Sequence, residues 1–183
     1  MSLEFLLSTH EYHLDGKPIP SVTQIIGAWD DPNPYWSPRG RDRGTAVHSA
    51  VQYLIQGDLD EDSVDPQWAG YLKAFKDFQQ TVNPEFLAVE EMIFNRQFWY
   101  AGRVDMRCKV FGKEALIDLK TGDSATVGLQ LSAYGMCYPG RPMPTFALKL
   151  MPNGDYRFRK AGGLSDRLKF AAMAGAYNGR VSA

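Results

Sequence analysis

The rhythm of apolar and polar residues divides this chain into segments of two kinds. Ala46, Val47, Ala50, Val51, Leu54 and Ile55 recur at the spacing of one helix face and predict a helix over 39–56. Trp68, Leu72, Phe75 and Phe78 or Gln79 repeat the pattern after an Asp65-Pro66 start signal, predicting a helix over 65–80 that Asn83-Pro84 ends. From there the period falls to two. Alternation predicts strands at about 86–94, 99–110 and 114–120, and their links are short enough for antiparallel hairpins. A helix over 126–138 follows, with Asp123, Ser124 or Thr126 as its cap, and then strands at 145–151 and 156–160. A last helix, capped by Ser165, runs to about Tyr177, and Gly179 stops it.

The N-terminal part is more broken. Residues 10–20 read as a hairpin turning at Asp15-Gly16, with His10 and His13 as solvated strand residues. Ser21 and Gln24 fit a capping box and predict a short helix to about Ala28. Pro32, Pro34 and Pro38 make 29–38 a loop.

The element order is helix, three antiparallel strands, helix, strand. That implies an α+β domain, within the broad α/β class, with a mixed central sheet flanked by helices. The 183 residues, 44% of them hydrophobic, suit one domain with a real core. The core is expected over about 38–151, with hairpin-and-helix additions at both ends. No apolar run approaches the roughly 18 residues of a membrane span, so no membrane partner is expected. The first residues lack the basic and apolar regions of a signal peptide, which argues for an intracellular, cytoplasmic protein. The two cysteines, Cys108 and Cys137, read as small core residues. The net charge of −1 does not advertise a nucleic-acid partner. Five acids, Asp58, Asp60, Glu61, Asp62 and Asp65, are concentrated in one solvated loop, however, and the remainder is basic.

Candidate chemistry gathers at 99–122. Asp105 lies in one strand, and Asp118 and Lys120 share a face of the next. Val104, Met106, Ile117 and Leu119 mark both strands as at least partly buried, and buried charges need partners or a metal. A plain salt bridge from Lys120 to one acid is the simplest account. The surroundings favour another. Gly102 precedes Asp105, Thr121-Gly122 follows Lys120, Gln130 and Tyr134 share a helix face, and His48 and Glu90 lie upstream. Glu90 and Glu91 point to opposite faces of their strand, one of them solvated, and spacing does not decide which. Converging carboxylates repel unless a cation sits between them, and hard oxygen ligands suit Mg2+ or Mn2+. A neighbouring lysine then suits phosphodiester hydrolysis, where negative charge builds up.

The pieces Pro20-Ser21-Val22-Thr23, Arg43-Gly44-Thr45-Ala46-Val47-His48, Val89-Glu90, Ala101-Gly102-Arg103-Val104-Asp105 and Ile117-Asp118-Leu119-Lys120-Thr121-Gly122, with Gln130 and Tyr134, occur in this order. Together they resemble the PD-(D/E)xK nuclease superfamily, in particular its RecB-like exonuclease branch of the bacteriophage and prophage type. The resemblance spans about 20–151 and implies a restriction-endonuclease-like core. It implies that Asp105 and Asp118 bind metal, that the Leu119 main-chain carbonyl completes the site, and that Lys120 is the catalytic lysine. His48 then corresponds to a metal-ligating histidine and Glu90 to a glutamate supporting a second metal, with Glu91 in reserve. Gln130 and Tyr134 correspond to a helix motif that steadies the site and contacts substrate phosphate. Val104 stands where the superfamily's name has proline, and the four-cysteine iron–sulfur cluster of some relatives is not expected.

The implied activity is metal-dependent DNA exonuclease in recombination, repair or phage genome processing. DNA is the implied substrate, and a recombination or single-strand-binding protein a further partner. Arg39 and Arg43 would flank the DNA path, with Lys149, Arg157 and Arg159 behind them. Rival readings are a structure- or end-specific endonuclease on the same site, and a non-catalytic DNA-binding module that keeps the fold.

Overall fold

The computed structural model describes residues 2–29 and 37–181. The N-terminal sheet contains three antiparallel strands, β1 (Leu3–Leu6), β2 (Glu11–Leu14) and β3 (Lys17–Ile19). The expected hairpin is β2–β3. Asp15 and Gly16 turn it with φ of 50° and 77°, the left-handed pair that a tight hairpin favours. β1 was not expected. It is short, and its alternation becomes legible only once Leu3 and Phe5 pack on Tyr12, Leu14 and Ile19. His10 is exposed in the β1–β2 turn rather than in a strand, and His13 is half-buried in β2.

Helix α1 (Val22–Gly27) carries the expected capping box: Ser21 Oγ accepts the Gln24 N–H at 3.0 Å, and Gln24 Oε1 accepts the Ser21 N–H at 2.7 Å. Most of the loop expected at 29–38 lies outside the described residues. Helix α2 (Pro38–Gln56) starts within its end, because Ser37 caps Gly40 and proline suits the first helical position. The acidic run is exposed, as expected, with one 3-10 turn at Glu61–Ser63. Asp65-Pro66 starts a second 3-10 turn, Pro66–Trp68, and α3 (Ala69–Val82) follows it.

The main sheet holds β4 (Glu85–Asn95), β5 (Tyr100–Val110), β6 (Lys113–Lys120), β7 (Thr145–Leu150) and β8 (Tyr156–Lys160), in that spatial order. Only β6 and β7 are parallel, joined by a crossover through α4 (Val127–Met136). The fold is thus α+β, with a mixed sheet between helical layers. On one face α2 and α3 pack Val47, Val51, Phe75 and Phe78 over Ile117, Leu119 and Leu148. On the other, α1, α4 and α5 (Leu164–Val181) pack Ile25, Leu131 and Phe170 over Tyr100, Val104 and Leu116.

Two caps differ from expectation. Thr126 precedes α4, but its side chain makes no capping bond. In α5 the Arg167 N–H bonds the Gly163 carbonyl, so Ser165 lies inside the first turn. α5 also passes Gly179. An interior glycine lowers helix stability by only about 1 kcal/mol, and Asn178 anchors this end by donating to the Phe98 carbonyl at 2.7 Å. Cys108 is buried and Cys137 half-buried.

Candidate active site

The site arises where strand pairing fails. The β5–β6 ladder runs from Val110–Lys113 to Met106–Ile117 and ends there. Asp105 and Asp118 stand where the next rung would fall. On the other side, the β4–β5 register passes from Val89–Met106 to Glu91–Val104, which leaves Glu90 opposite Asp105. Three acids therefore form one row across three strands: Glu90, Asp105 and Asp118. Glu90 has φ of 52°, in the left-handed region that a non-glycine residue seldom occupies.

Asp105 binds in two directions. Its Oδ2 accepts the Leu119 N–H at 2.6 Å, and its Oδ1 lies 3.5 Å from His48 Nδ1. His48 reaches over from α2, with Nε2 3.1 Å from the Leu119 carbonyl oxygen. Burial pushes the Asp105 carboxyl up, but His48, Lys120 and the Leu119 N–H outweigh it and hold it below its ordinary value. Burial pushes the His48 imidazole down; Asp105 outweighs that, and the net direction is up. Burial, with Asp105 adding to it, raises Glu90.

Donor atoms of His48, Glu90 and Asp105 all lie within 4.8 Å of one another. Ligands of an octahedral ion held at about 2.1 Å lie about 3–4 Å apart, so small side-chain movements close this group around a divalent cation. One imidazole nitrogen and two carboxylates suit such an ion.

Asp118 stands apart from that trio. It is 1% exposed, with Lys120 Nζ 2.6 Å from its Oδ2. Neither carboxylate oxygen accepts a well-aligned hydrogen bond among the described residues. Burial pushes its carboxyl up to about 6, with Lys120 pulling the other way. Lys120 Nζ also donates to Gln130 Oε1 at 3.1 Å, and Gln130 Nε2 donates to the Tyr134 hydroxyl at 2.8 Å. The chain Asp118–Lys120–Gln130–Tyr134 thus links β6 to α4. Gly102 makes room for it: a Cβ there would sit 2.7 Å from Tyr134 Cε1.

The other expected residues separate clearly. Arg43 Nε donates to Thr121 Oγ1 at 3.2 Å, docking α2 on the end of β6, while Arg39 is exposed one turn earlier. Glu91 is turned away from the trio, accepting from Arg107 Nε at 2.7 Å and from the Tyr138 hydroxyl at 3.0 Å. Both glutamates of that pair are partly buried, so neither is the solvated one that alternation suggested. Lys149 is the register partner of both Lys120 and Arg157, which places three cations in a row leading from the site to the sheet edge. Arg159 lies opposite Ala147, two rungs away, in the row of Asp118. The residue that sequence reasoning passed over is Arg103, whose Nη1 lies 3.8 Å from Glu90 Oε2. Its signal was present: Arg103 alternates with Asp105 on β5.

No protein-family model and no curated protein matches the chain. Among solved structures it is similar to a provisionally named exonuclease from Eubacterium rectale. The TM-score is 0.55 and the identity 14%, over 85% of this chain and 69% of that one. The two chains share a fold. A second structure, SSO0001, aligns with a TM-score of 0.36 and 16% identity over 71% of each chain, too loosely to carry an argument. Among the described residues, no helix is long and apolar enough to cross a membrane.

Proposed function

We propose that this chain is a divalent-metal-dependent DNA exonuclease of the RecB-like branch of the PD-(D/E)xK superfamily. The observation that carries the reading is the acidic row Glu90–Asp105–Asp118 at the broken ladder, with Lys120 Nζ 2.6 Å from Asp118 and His48 beside both Asp105 and the Leu119 carbonyl. His48, Glu90 and Asp105 would hold Mg2+ or Mn2+, with Asp118 and the Leu119 carbonyl as further ligands. When bound, such an ion polarises the phosphoryl oxygen and makes an attacking water more acidic.

The protein's own groups do the rest. Burial works against the Lys120 ammonium, but Asp118 and Asp105 outweigh it and keep the group charged at neutral pH. Held between Asp118 and Gln130, that ammonium stabilises negative charge on the phosphoryl oxygens as the bond breaks. Tyr134 steadies Gln130, and both border the phosphate position. Arg43, braced by Thr121, and Arg39 bind backbone phosphates. Such contacts position DNA without reading its bases. The setting we infer is recombination, repair or phage genome processing in the cytoplasm of a bacterial or phage-infected cell, alongside a recombination or single-strand-binding protein.

The test is cleavage of end-labelled linear DNA, single- and double-stranded, beside closed circles, with Mg2+, Mn2+ or EDTA. Metal-dependent shortening of linear DNA that spares circles is expected, and it should vanish in D118A and K120A. Cutting of circles would replace the exonuclease with an endonuclease. Binding of DNA without cleavage would favour the non-catalytic module.

A further inference from the structure

A cleft of about 400 Å³ opens beside the metal-ligating trio. His48, Glu90 and Asp105 form its floor. Thr45, Ser49 and Gln52, on the same stretch of α2 as His48, form one wall. Arg103 stands on the other.

Arg103 is held in place, with a hydrogen bond to the Tyr12 side chain and part of its donor capacity unused. Its guanidinium carbon lies 5.0 Å from the centroid of the Phe5 ring, and the Tyr12 hydroxyl is beside it. Its Nε is buried and makes no hydrogen bond among the described residues. Its approach to Glu90, 3.8 Å, is too long for a hydrogen bond. The same sheet supplies a comparison. Arg107 and Glu91, an arginine and glutamate on the same two strands, close to 2.7 Å. An arginine present only to neutralise Glu90 would close in the same way. Instead two aromatic residues of the N-terminal sheet, one each from β1 and β2, hold the guanidinium while Arg103 still lines the cleft.

We propose that Arg103, with Ser49 and Gln52 across the cleft, forms a phosphate subsite for the DNA backbone next to the scissile bond, and that Phe5 and Tyr12 of the N-terminal sheet position it. This rests on the nuclease reading above. A guanidinium presents several donors in a fixed fork that matches phosphate oxygens, and its charge-assisted bonds are the strong kind. The hydroxyl of Ser49 and the amide of Gln52 supply uncharged donors on the facing wall.

The experiment is steady-state cleavage of a linear oligonucleotide with Mg2+ across a range of salt, using the full chain. Arg103→Gln should raise KM by about tenfold to a hundredfold, with kcat within about threefold. It should also lower the slope of log KM against log salt by about one. Arg103→Lys should restore the slope but not all of the affinity. Phe5→Leu should raise KM less and keep the slope. Gln52→Lys, on the helix surface, tests the subsite without touching the core: KM should fall and the slope steepen.

A wild-type KM and slope in both Arg103→Gln and Gln52→Lys would overturn the subsite. So would an Arg103→Gln variant with weaker metal affinity and unchanged KM, which would reduce Arg103 to a counter-ion for Glu90. Should Arg103→Gln fail to fold, an unchanged KM in Gln52→Lys alone overturns the proposal. Wild-type protein that cleaves no DNA would instead bring down the nuclease reading, and the subsite with it.

Discussion

Asp105 Oδ2 accepts the backbone N–H of Leu119 at 2.6 Å, just past the last rung of the β5–β6 ladder. A side chain there completes the pairing that the backbone has abandoned. Replacing it by alanine leaves a buried N–H without an acceptor, which costs about 1–3 kcal/mol. Asp105→Asn keeps an oxygen for that bond. We therefore expect D105A to unfold at clearly lower temperature than D105N, while both lose the rise in Tm that Mn2+ gives the wild type. Thermal unfolding with and without Mn2+ checks both points. Equal stability of the two variants would deny the bond its structural role.

Lys120, kept charged, is not itself a metal ligand. It touches Asp118 and Gln130 rather than the His48–Glu90–Asp105 trio. Lys120→Gln should lower kcat by about 10²–10³-fold, the loss typical of one electrostatic stabiliser, with a smaller change in metal affinity felt through Asp118. Tyr134→Phe removes only the acceptor for Gln130 and should lower kcat by at most about tenfold. Gly102→Ala would press on the Tyr134 ring and should destabilise by about 1–3 kcal/mol. Single-turnover rates and isothermal titration with Mn2+ separate these effects.

Metal binding should tighten as pH rises. Glu90, Asp118 and His48 all hold protons to higher pH than their free counterparts, and each must lose its proton to become a ligand. Asp118 also sets the sign for the metal-free protein. Its folded value, about 6, lies above the unfolded one, so between the two the folded state holds the extra proton. Its stabilising contribution is therefore complete below the unfolded value and lost as pH rises through about 6. Metal at 100 times its Kd would add about 2.7 kcal/mol, or roughly 5–10 °C in Tm for a chain of this size. We expect that rise near pH 8 and little of it near pH 5. A metal-induced shift independent of pH would contradict the assignment of these ligands.

Lys149 is held by Asp123 at 2.7 Å in the basic row from Lys120 to Arg157. Asp123 is exposed, so solvent screens the pair and it adds little to stability. Asp123→Asn should leave Tm nearly unchanged and tighten DNA binding several-fold at low salt. Lys149→Ala should weaken binding and reduce its salt slope by about one. Anisotropy titrations of labelled DNA at several salt concentrations would show both. Unaltered binding in both variants would place the DNA path elsewhere.

The local elements were legible because their causes are local. The Ser21–Gln24 capping box, the helical stripe of α2 and the two-residue period of β4–β6 each lie within one short stretch. Asp118 and Lys120 could be placed on one face from alternation alone. β1 could not be seen, because four residues gain their meaning only from partners on β2. Spacing left Glu90 and Glu91 undecided, and only the resemblance put Glu90 first. A register shift between Phe86 and Ala88 and the left-handed backbone at Glu90 separate them. Arg103 and Arg107 also look alike in the chain. Their distances to glutamate, 3.8 and 2.7 Å, distinguish them.

By itself, then, the sequence determined which residues carry charge on the central strands, and the order of helices and strands that brings them to one sheet. The tertiary structure alone decided that the β5–β6 ladder stops at Met106–Ile117, that the backbone at Glu90 turns left-handed and brings its carboxylate within reach of His48 and Asp105, and that Asp118 turns to Lys120. The reason is physical. Period and capping are properties of neighbours along the chain, whereas register and its failure come from pairing between segments far apart in sequence, where one bulged residue moves side chains from one face to the other.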